Sequence, residues 1–270
     1  MAWIALSRFS VTFGAVSFRQ EEASAEVFRG NLAEMLAAGA LPSLVSAPAL
    51  GTCTVYALPE PGNDAVLEPV HPVYRQLLDA GPALHLAGPL GQKNLPRRLE
   101  GDYQVRLGEG PPPGTPLPHF LASGTYRVNN GNGGAGLGPL EAALNLPPAL
   151  TWTNEAEVND VSRSADLTVT WSGGDPESEY VLIAAASVNQ ASKAQGSFVC
   201  SERVAAGRFV VPATVLSSLP ASSTWTGTGV PSALGVVTWP TLDRAKFTAP
   251  GLDLGLFYYD SIRTKTVHYR

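Results

Sequence analysis

The stretch LTVTWSGGDPESEYVLIAA, Leu167–Ala185, brings three carboxylates, Asp175, Glu177 and Glu179, close together between two apolar runs. Carboxylates so placed suggest a calcium site, because Ca²⁺ takes six to eight oxygen ligands and loops between sandwich strands can gather them. Three side chains supply part of such a shell, and the D-x-D-x-D-G spacing of a dedicated calcium loop is absent. The same segment has what a tight connection needs: Gly173 and Gly174 for positive φ, Asp175 to bond its own backbone, and Pro176 to preset φ. The residues therefore read as a hairpin turn first and a metal loop second.

Four histidines, His71, His85, His119 and His268, could serve as bases, and none has the spacing of a zinc ligand set. His85 alternates with Leu84 and Leu86 and reads as a rim residue. His71 and His119 stand in long loops, where rigid β scaffolds tend to carry sites. If the chain is an enzyme, these two are the candidate bases, with Asp79 or Asp102 as partner and Ser123 as nucleophile. That constellation would make it a hydrolase of ester, phosphoester or glycosidic bonds. No G-x-S-x-G elbow supports it, and a triad is defined by geometry rather than residue type. A glycosidase pair drawn from Glu100, Asp102 and Glu109 would need carboxyl groups about 5 to 9.5 Å apart, which sequence cannot place.

GNGGAG, Gly131–Gly136, matches the dinucleotide fingerprint in letters. That motif works only at the start of a helix, and PLEAALNL ends within two turns at Pro147, so no nucleotide cofactor is assigned. Cys53 and Cys200 both lie in strand-like text. They read as two small buried side chains, one in each half, with a disulfide as the alternative. Trp152 and Trp171 read as core. Trp225 and Trp239, beside Ser/Thr/Gly-rich and Pro-rich text, could form with Tyr258 and Tyr259 an exposed platform for a carbohydrate or protein ligand. For any one of these rings core packing is the competing reading.

What must position these groups is a chain of 270 residues, long enough for two ordinary domains. Only 15% of residues are charged, and 27 Gly and 23 Pro punctuate the text, which favours short strands and turns over long helices. A net charge of −5 without a basic patch argues against nucleic acid, and no apolar run approaches the roughly 20 residues of a membrane span. The N-terminus alternates Phe9, Val11, Phe13 and reads as one or two strands rather than a signal peptide; its abrupt start also fits a piece of a larger protein. EEASAEVFRGNLAEMLAAGAL, Glu21–Leu41, is the one convincing helix, with acids in its first turn. From Pro82 onward hairpin-like segments repeat. The paired Pro147–Pro148 marks a linker between a first domain, 1–148, and a second, 149–270.

PPALTWTN, LTVTWSGGDP, GSFVCSERVAAGRFVVPATVLSSLPAS and FTAPGLDLG resemble the C-terminal sandwich of uncharacterised exported proteins of soil bacteria. LDAGPALHLAGPLGQKNLPR and FLASGTYRV resemble the domain that often precedes it. The resemblance implies an immunoglobulin-like fold and an extracellular setting, and no activity. The expected architecture is thus mainly β: two tandem antiparallel sandwiches with one helical excursion. The expected function is a non-catalytic binding or structural module of an exported or cell-surface protein, with a hydrolase as the alternative.

Overall fold

The computed structural model describes residues 1–30, 47–57, 76–109, 117–223 and 231–270. Its strands begin with β1 (Ala2–Phe13), β2 (Val16–Arg29), β3 (Thr52–Ala57), β4 (Gln76–Leu77), β5 (Ala83–Gly88), β6 (Gly91–Leu99), β7 (Asp102–Glu109), β8 (Gly124–Asn129) and β9 (Glu141–Leu146). They continue with β10 (Thr151–Trp152), β11 (Asp160–Val161), β12 (Leu167–Ser172), β13 (Glu179–Val188), β14 (Gln195–Arg203) and β15 (Arg208–Val211). The last four are β16 (Ala233–Pro240), β17 (Lys246–Phe247), β18 (Gly255–Thr266) and β19 (His268–Tyr269). Two single-turn helices, α1 (Ala213–Leu216) and α2 (Leu242–Ala245), connect strands of the second half. The fold is mainly β.

One large sheet runs β3-β14-β13-β16-β18-β1-β2-β7-β6-β5-β8-β9, with β4 on β2 and β17 on β18. A smaller sheet, β10-β12-β15, covers the end near β13 and β14. The two halves of the chain exchange strands: β1 pairs in parallel with β18, Ala2 beside Gly255 through Thr12 beside Lys265, and β3 pairs with β14. β9, at the far end of the path, packs against β18, so the sheet curls around its own core.

Alternation along the strands separates the faces. Ile4 and Leu6 of β1, Ala23 and Ala25 of β2, and Phe257 and Tyr259 of β18 point into a first core completed by Tyr103 and Tyr126. On the same face, Val181, Ile183, Phe198 and Val236 form a second core with Trp152, Trp171 and Phe209. On the opposite face Trp3, Phe28, Leu182, Trp239 and Tyr258 form a third cluster. The indole N–H of Trp171 donates to the Val204 carbonyl at 2.9 Å and that of Trp152 to Asn154 Oδ1 at 2.9 Å, so both buried tryptophans keep their polar handle satisfied.

Three expectations need correction. The helix proposed from Glu21 is strand β2 as far as Arg29, and residues 31–46 of that segment lie outside the described residues. Ala23, Ala25 and Val27 alternate with Glu22, Ser24 and Glu26; neighbours on both sides, β1 and β7, pair with this strand and override the helical preference of Ala and Glu. The short segment PLEAALNL contributes strand β9, not helical turns.

Third, the cysteines are not two separate core residues but a disulfide. Cys53 and Cys200 face each other across β3 and β14, at a sequence separation of 147. Among the described residues β3 pairs with β14 alone. Cross-linking such a long loop restricts the unfolded chain, so the Cys53→Ser/Cys200→Ser variant is expected to lose about 2–4 kcal/mol of unfolding free energy in urea titration. An unchanged urea midpoint would mean that the bridge contributes nothing to stability.

Candidate functional site

Two groups of polar side chains are built into the face that carries both cores. The first centres on Glu21, which the alternation of β2 places on the buried face with Ala23 and Ala25, opposite Gly108 of β7. Its carboxylate is fully buried. Oε1 accepts from Arg8 Nε at 3.0 Å and Nη2 at 2.9 Å, and lies 2.7 Å from His119 Nδ1. Oε2 accepts the backbone N–H groups of Phe120 at 2.7 Å and Leu121 at 2.9 Å. Arg8 also donates to the Leu121 carbonyl. Tyr126 completes the clamp: its hydroxyl accepts from the Ala122 N–H at 2.9 Å and donates to the Phe120 carbonyl at 3.0 Å. Gly108 makes the approach feasible, because a Cβ there would lie 2.8 Å from Glu21 Oε2 and 2.6 Å from the Pro118 carbonyl. Every lone pair of Glu21 is thus directed at the loop or at Arg8, which is an arrangement for holding the loop rather than for moving a proton.

The second group lies in the turn that carries the chain from β12 in the small sheet to β13 in the large one, near the end of β9. Gly173 and Gly174 adopt φ of 84° and 74°, and a Cβ on Gly174 would press on Glu179 Oε2 at 3.0 Å. Asp175 N–H donates to Glu179 Oε2 at 2.7 Å, and Glu179 N–H donates back to the Asp175 carbonyl at 3.0 Å. Asp175 Oδ1 accepts from the Glu177 N–H at 2.9 Å, and Oδ2 from the Ser178 hydroxyl. The Ser178 and Glu177 hydrogen bonds hold the Asp175 carboxyl below its usual range. Glu179 goes the other way: burial, reinforced by the Asp175 charge, pushes its carboxyl up to about 7. Glu179 borders two cavities. One, of about 360 Å³, is lined by Pro48, Leu50, Tyr180 and Arg203. The other, of about 250 Å³, is lined by Asn145, Asp175, Ser178, Arg244 and Tyr259.

The hairpin expected for the opening stretch is a correction: β12 pairs with β10 and β15 and β13 with β14 and β16, so Gly173–Ser178 is a turn that crosses from one sheet to the other, and that turn uses both oxygens of Asp175. Glu177 is exposed. Among the described residues no three His, Cys, Asp or Glu side chains are gathered as a metal-binding group. Among the described residues the hydrolase candidates are not gathered into one site. His119 sits by Gly108, and Asp102 is at the other end of β7, about 20 Å away at roughly 3.3 Å per residue. Asp79 pairs with Arg97 at 2.7 Å and accepts the Gly81 N–H at 2.8 Å. Ser123 is exposed in the turn before β8. His71 and Trp225 lie outside the described residues. His85 meets Asn94 across the strands at 2.9 Å in the exposed position expected. The GNGGAG loop folds back so that the N–H groups of Gly136 and Leu137 donate to the Asp79 carbonyl, at 2.8 and 3.0 Å.

Trp239, placed in the exposed platform by sequence, is a correction: it is 9% exposed and stacks on Tyr258 with ring centroids 5.8 Å apart. Tyr258 and Tyr259 are buried as well. The alternation of β16 and β18 turns these rings onto the sheet faces, where each removes more apolar area from water than a surface position would. Sequence reasoning missed Glu21 and Arg8 as members of a polar group. Glu21 and Arg8 were hidden inside segments read for secondary structure alone, and only the strand pairing that sets Arg8 opposite Glu21 discloses them.

Compared with known protein families and with curated proteins, the chain matches none.

Proposed function

We propose that the chain is a non-catalytic binding and structural module of an exported or cell-surface protein, with an immunoglobulin-like sandwich around each of the two cores. The Cys53–Cys200 disulfide is the observation that carries the exported setting, since such bonds persist in oxidising compartments and are rare where thiols are kept reduced. The engagement of Glu21, His119 and Asp175 by the fold's own backbone and side chains supports a scaffold role over a catalytic one.

One observation favours the hydrolase alternative. Glu179, with its carboxyl near 7 and a cavity on either side, has the properties of a general acid–base. A panel of chromogenic ester, phosphoester and glycoside substrates separates the two readings. The expected result is no turnover on any of them. Turnover that disappears in Glu179→Gln, in a variant that remains folded, would replace the module by a hydrolase working through Glu179. Turnover lost in His119→Ala instead would move the site to the Glu21 clamp.

A further inference from the structure

The face of the large sheet that carries the third cluster continues toward the β1–β2 turn without a charged side chain. The pairing register draws one row across it, which begins with Thr54, Val199, Ala184 and Gly235 on adjacent strands. The row goes on through Thr264 and Val11 to Phe18. On the side of the turn a second row holds Tyr56, Ser197, Ala186, Ala233 and Thr266, and the pair Phe13 and Val16 stands at the tip of the β1–β2 ribbon. On the side of the third cluster stand Val237, Ile262 and Phe9. An antiparallel sheet with its core on one face ordinarily turns polar residues outward on the other. Here the outward residues are Ala, Gly, Ser, Thr, Val, Ile, Phe and Tyr, with no Asp, Glu, Lys or Arg. Phe9 is 45% exposed, Tyr56 44% and Val16 54%, so the face is open where they stand.

We infer that this face is the interface of a homodimer, in which two copies of the chain pack sheet on sheet. Its size fits. Seven strands, β3-β14-β13-β16-β18-β1-β2, span about 29 Å at roughly 4.8 Å per step, and three rows with their side chains cover about 20 Å along the strands. The product, about 600 Å², exceeds the few hundred Å² of apolar surface that a monomer ordinarily shows and approaches the roughly 800 Å² per partner of a standard interface. The absence of charge favours a second copy as the occupant. A two-fold interface sets one surface against itself, so charges close to the axis meet their like, and this face has none although the chain carries a net charge of −5. The relief is self-complementary as well. Phe9, Phe13 and Phe18 raise the β1–β2 end, while Thr54 and Ser197 keep the β3–β14 end low. A two-fold axis parallel to β16 sets the raised end of each copy on the low end of the other, with Ala184 and Gly235 leaving room between them. The inference goes beyond the module reading and does not need it, since it rests on one face of the sheet.

The test is sedimentation equilibrium of the whole chain from micromolar to near-millimolar concentration, beside Phe9→Glu, Tyr56→Glu and Leu99→Glu. The expected result is a monomer–dimer equilibrium whose dissociation constant rises at least about tenfold in Phe9→Glu and in Tyr56→Glu, because each buries a carboxylate in the interface. Both positions are exposed in the single chain, so the variants should keep the fold, and urea unfolding of each checks this. Leu99, 66% exposed on β6 and away from this face, is the control, and Leu99→Glu should leave the constant unchanged. A chain that stays monomeric throughout overturns the dimer. A dimer indifferent to both Phe9→Glu and Tyr56→Glu overturns the assignment of the face. Equal weakening by Leu99→Glu would trace the effect to net charge and overturn it as well. A monomer that cosediments with phosphatidylcholine vesicles, and ceases to do so in Phe9→Glu, would give the face to a lipid surface instead of a second copy.

Discussion

Replacing Glu21 with alanine is expected to cost about 3–5 kcal/mol, the range for breaking a buried ion pair by removing one partner, while His119→Ala costs under about 1 kcal/mol. The asymmetry follows from where the two side chains end. Glu21 is 0% exposed and receives Arg8 together with two backbone N–H groups. Deleting it strands a guanidinium that is only 14% exposed and orphans the amides of Phe120 and Leu121, both buried residues of the first core. His119 is 43% exposed, so water replaces whatever it loses. Glu21→Gln keeps the volume and one acceptor oxygen but aims an NH₂ at existing donors, so it should fall between wild type and alanine. Urea unfolding of the three variants at one pH reads the ranking. Equal losses in Glu21→Ala and His119→Ala would show that the imidazole, rather than the buried carboxylate, organises the loop that enters β8.

The same residue shows what could be read in advance. Glu21 opens a segment whose acids and alanines satisfy every local criterion for a helix start, while its side-chain alternation equally fits a strand. Local preference is a fraction of a kcal/mol per residue for these types, and two flanking strands supply far more through pairing and burial. Segments with β-branched residues in alternation and glycine-marked turns, such as Leu167–Ser172 and Glu179–Val188, were legible because propensity, period and turn chemistry agree there. β18 was harder. Gly255–Thr266 carries tyrosines and charged residues on both faces, and nothing local announces that it will pair in parallel with β1, 253 residues away at Ala2 and Gly255. The candidate cavity has the same origin: Asn145, Glu179, Arg244 and Tyr259 come from four separate segments, and only the exchange of strands between the halves puts them around one space. Residue types alone placed Trp239, Tyr258 and Tyr259 in a surface platform, although all three are buried, because exposure is a property of pairing register, which one sequence does not specify.

Glu179→Gln is expected to flatten the pH dependence of stability between about pH 4.5 and 7. In the folded protein the carboxyl is raised from its ordinary 4.5 to about 7, chiefly by burial, so in this window the native state holds a proton that the unfolded chain has released. Stability falls with rising pH wherever the native state binds more protons, so the contribution is complete below about 4.5 and is lost as pH climbs through 7. At roughly 1.4 kcal/mol per pH unit of separation, the loss approaches about 3 kcal/mol by pH 8. Glutamine mimics the protonated acid and its amide oxygen still accepts the Asp175 N–H, so the variant should match wild type near pH 4 and exceed it by about 2–3 kcal/mol at pH 8. Asp260, buried and bonded to the Ser7 hydroxyl at 2.6 Å, is raised to about 6 and tilts the wild-type profile in the same direction, but it is present in both proteins and cancels in the difference. Denaturant unfolding of the two proteins across this range supplies the difference curve. Parallel profiles would mean that water in the adjoining cavities solvates Glu179 as well as bulk water does, and that the carboxyl is ionised throughout. A difference that grows from pH 4.5 and levels off above 7 would place a neutral acid at the cavity wall under acidic conditions, able there to donate a hydrogen bond to a ligand hydroxyl rather than only accept one.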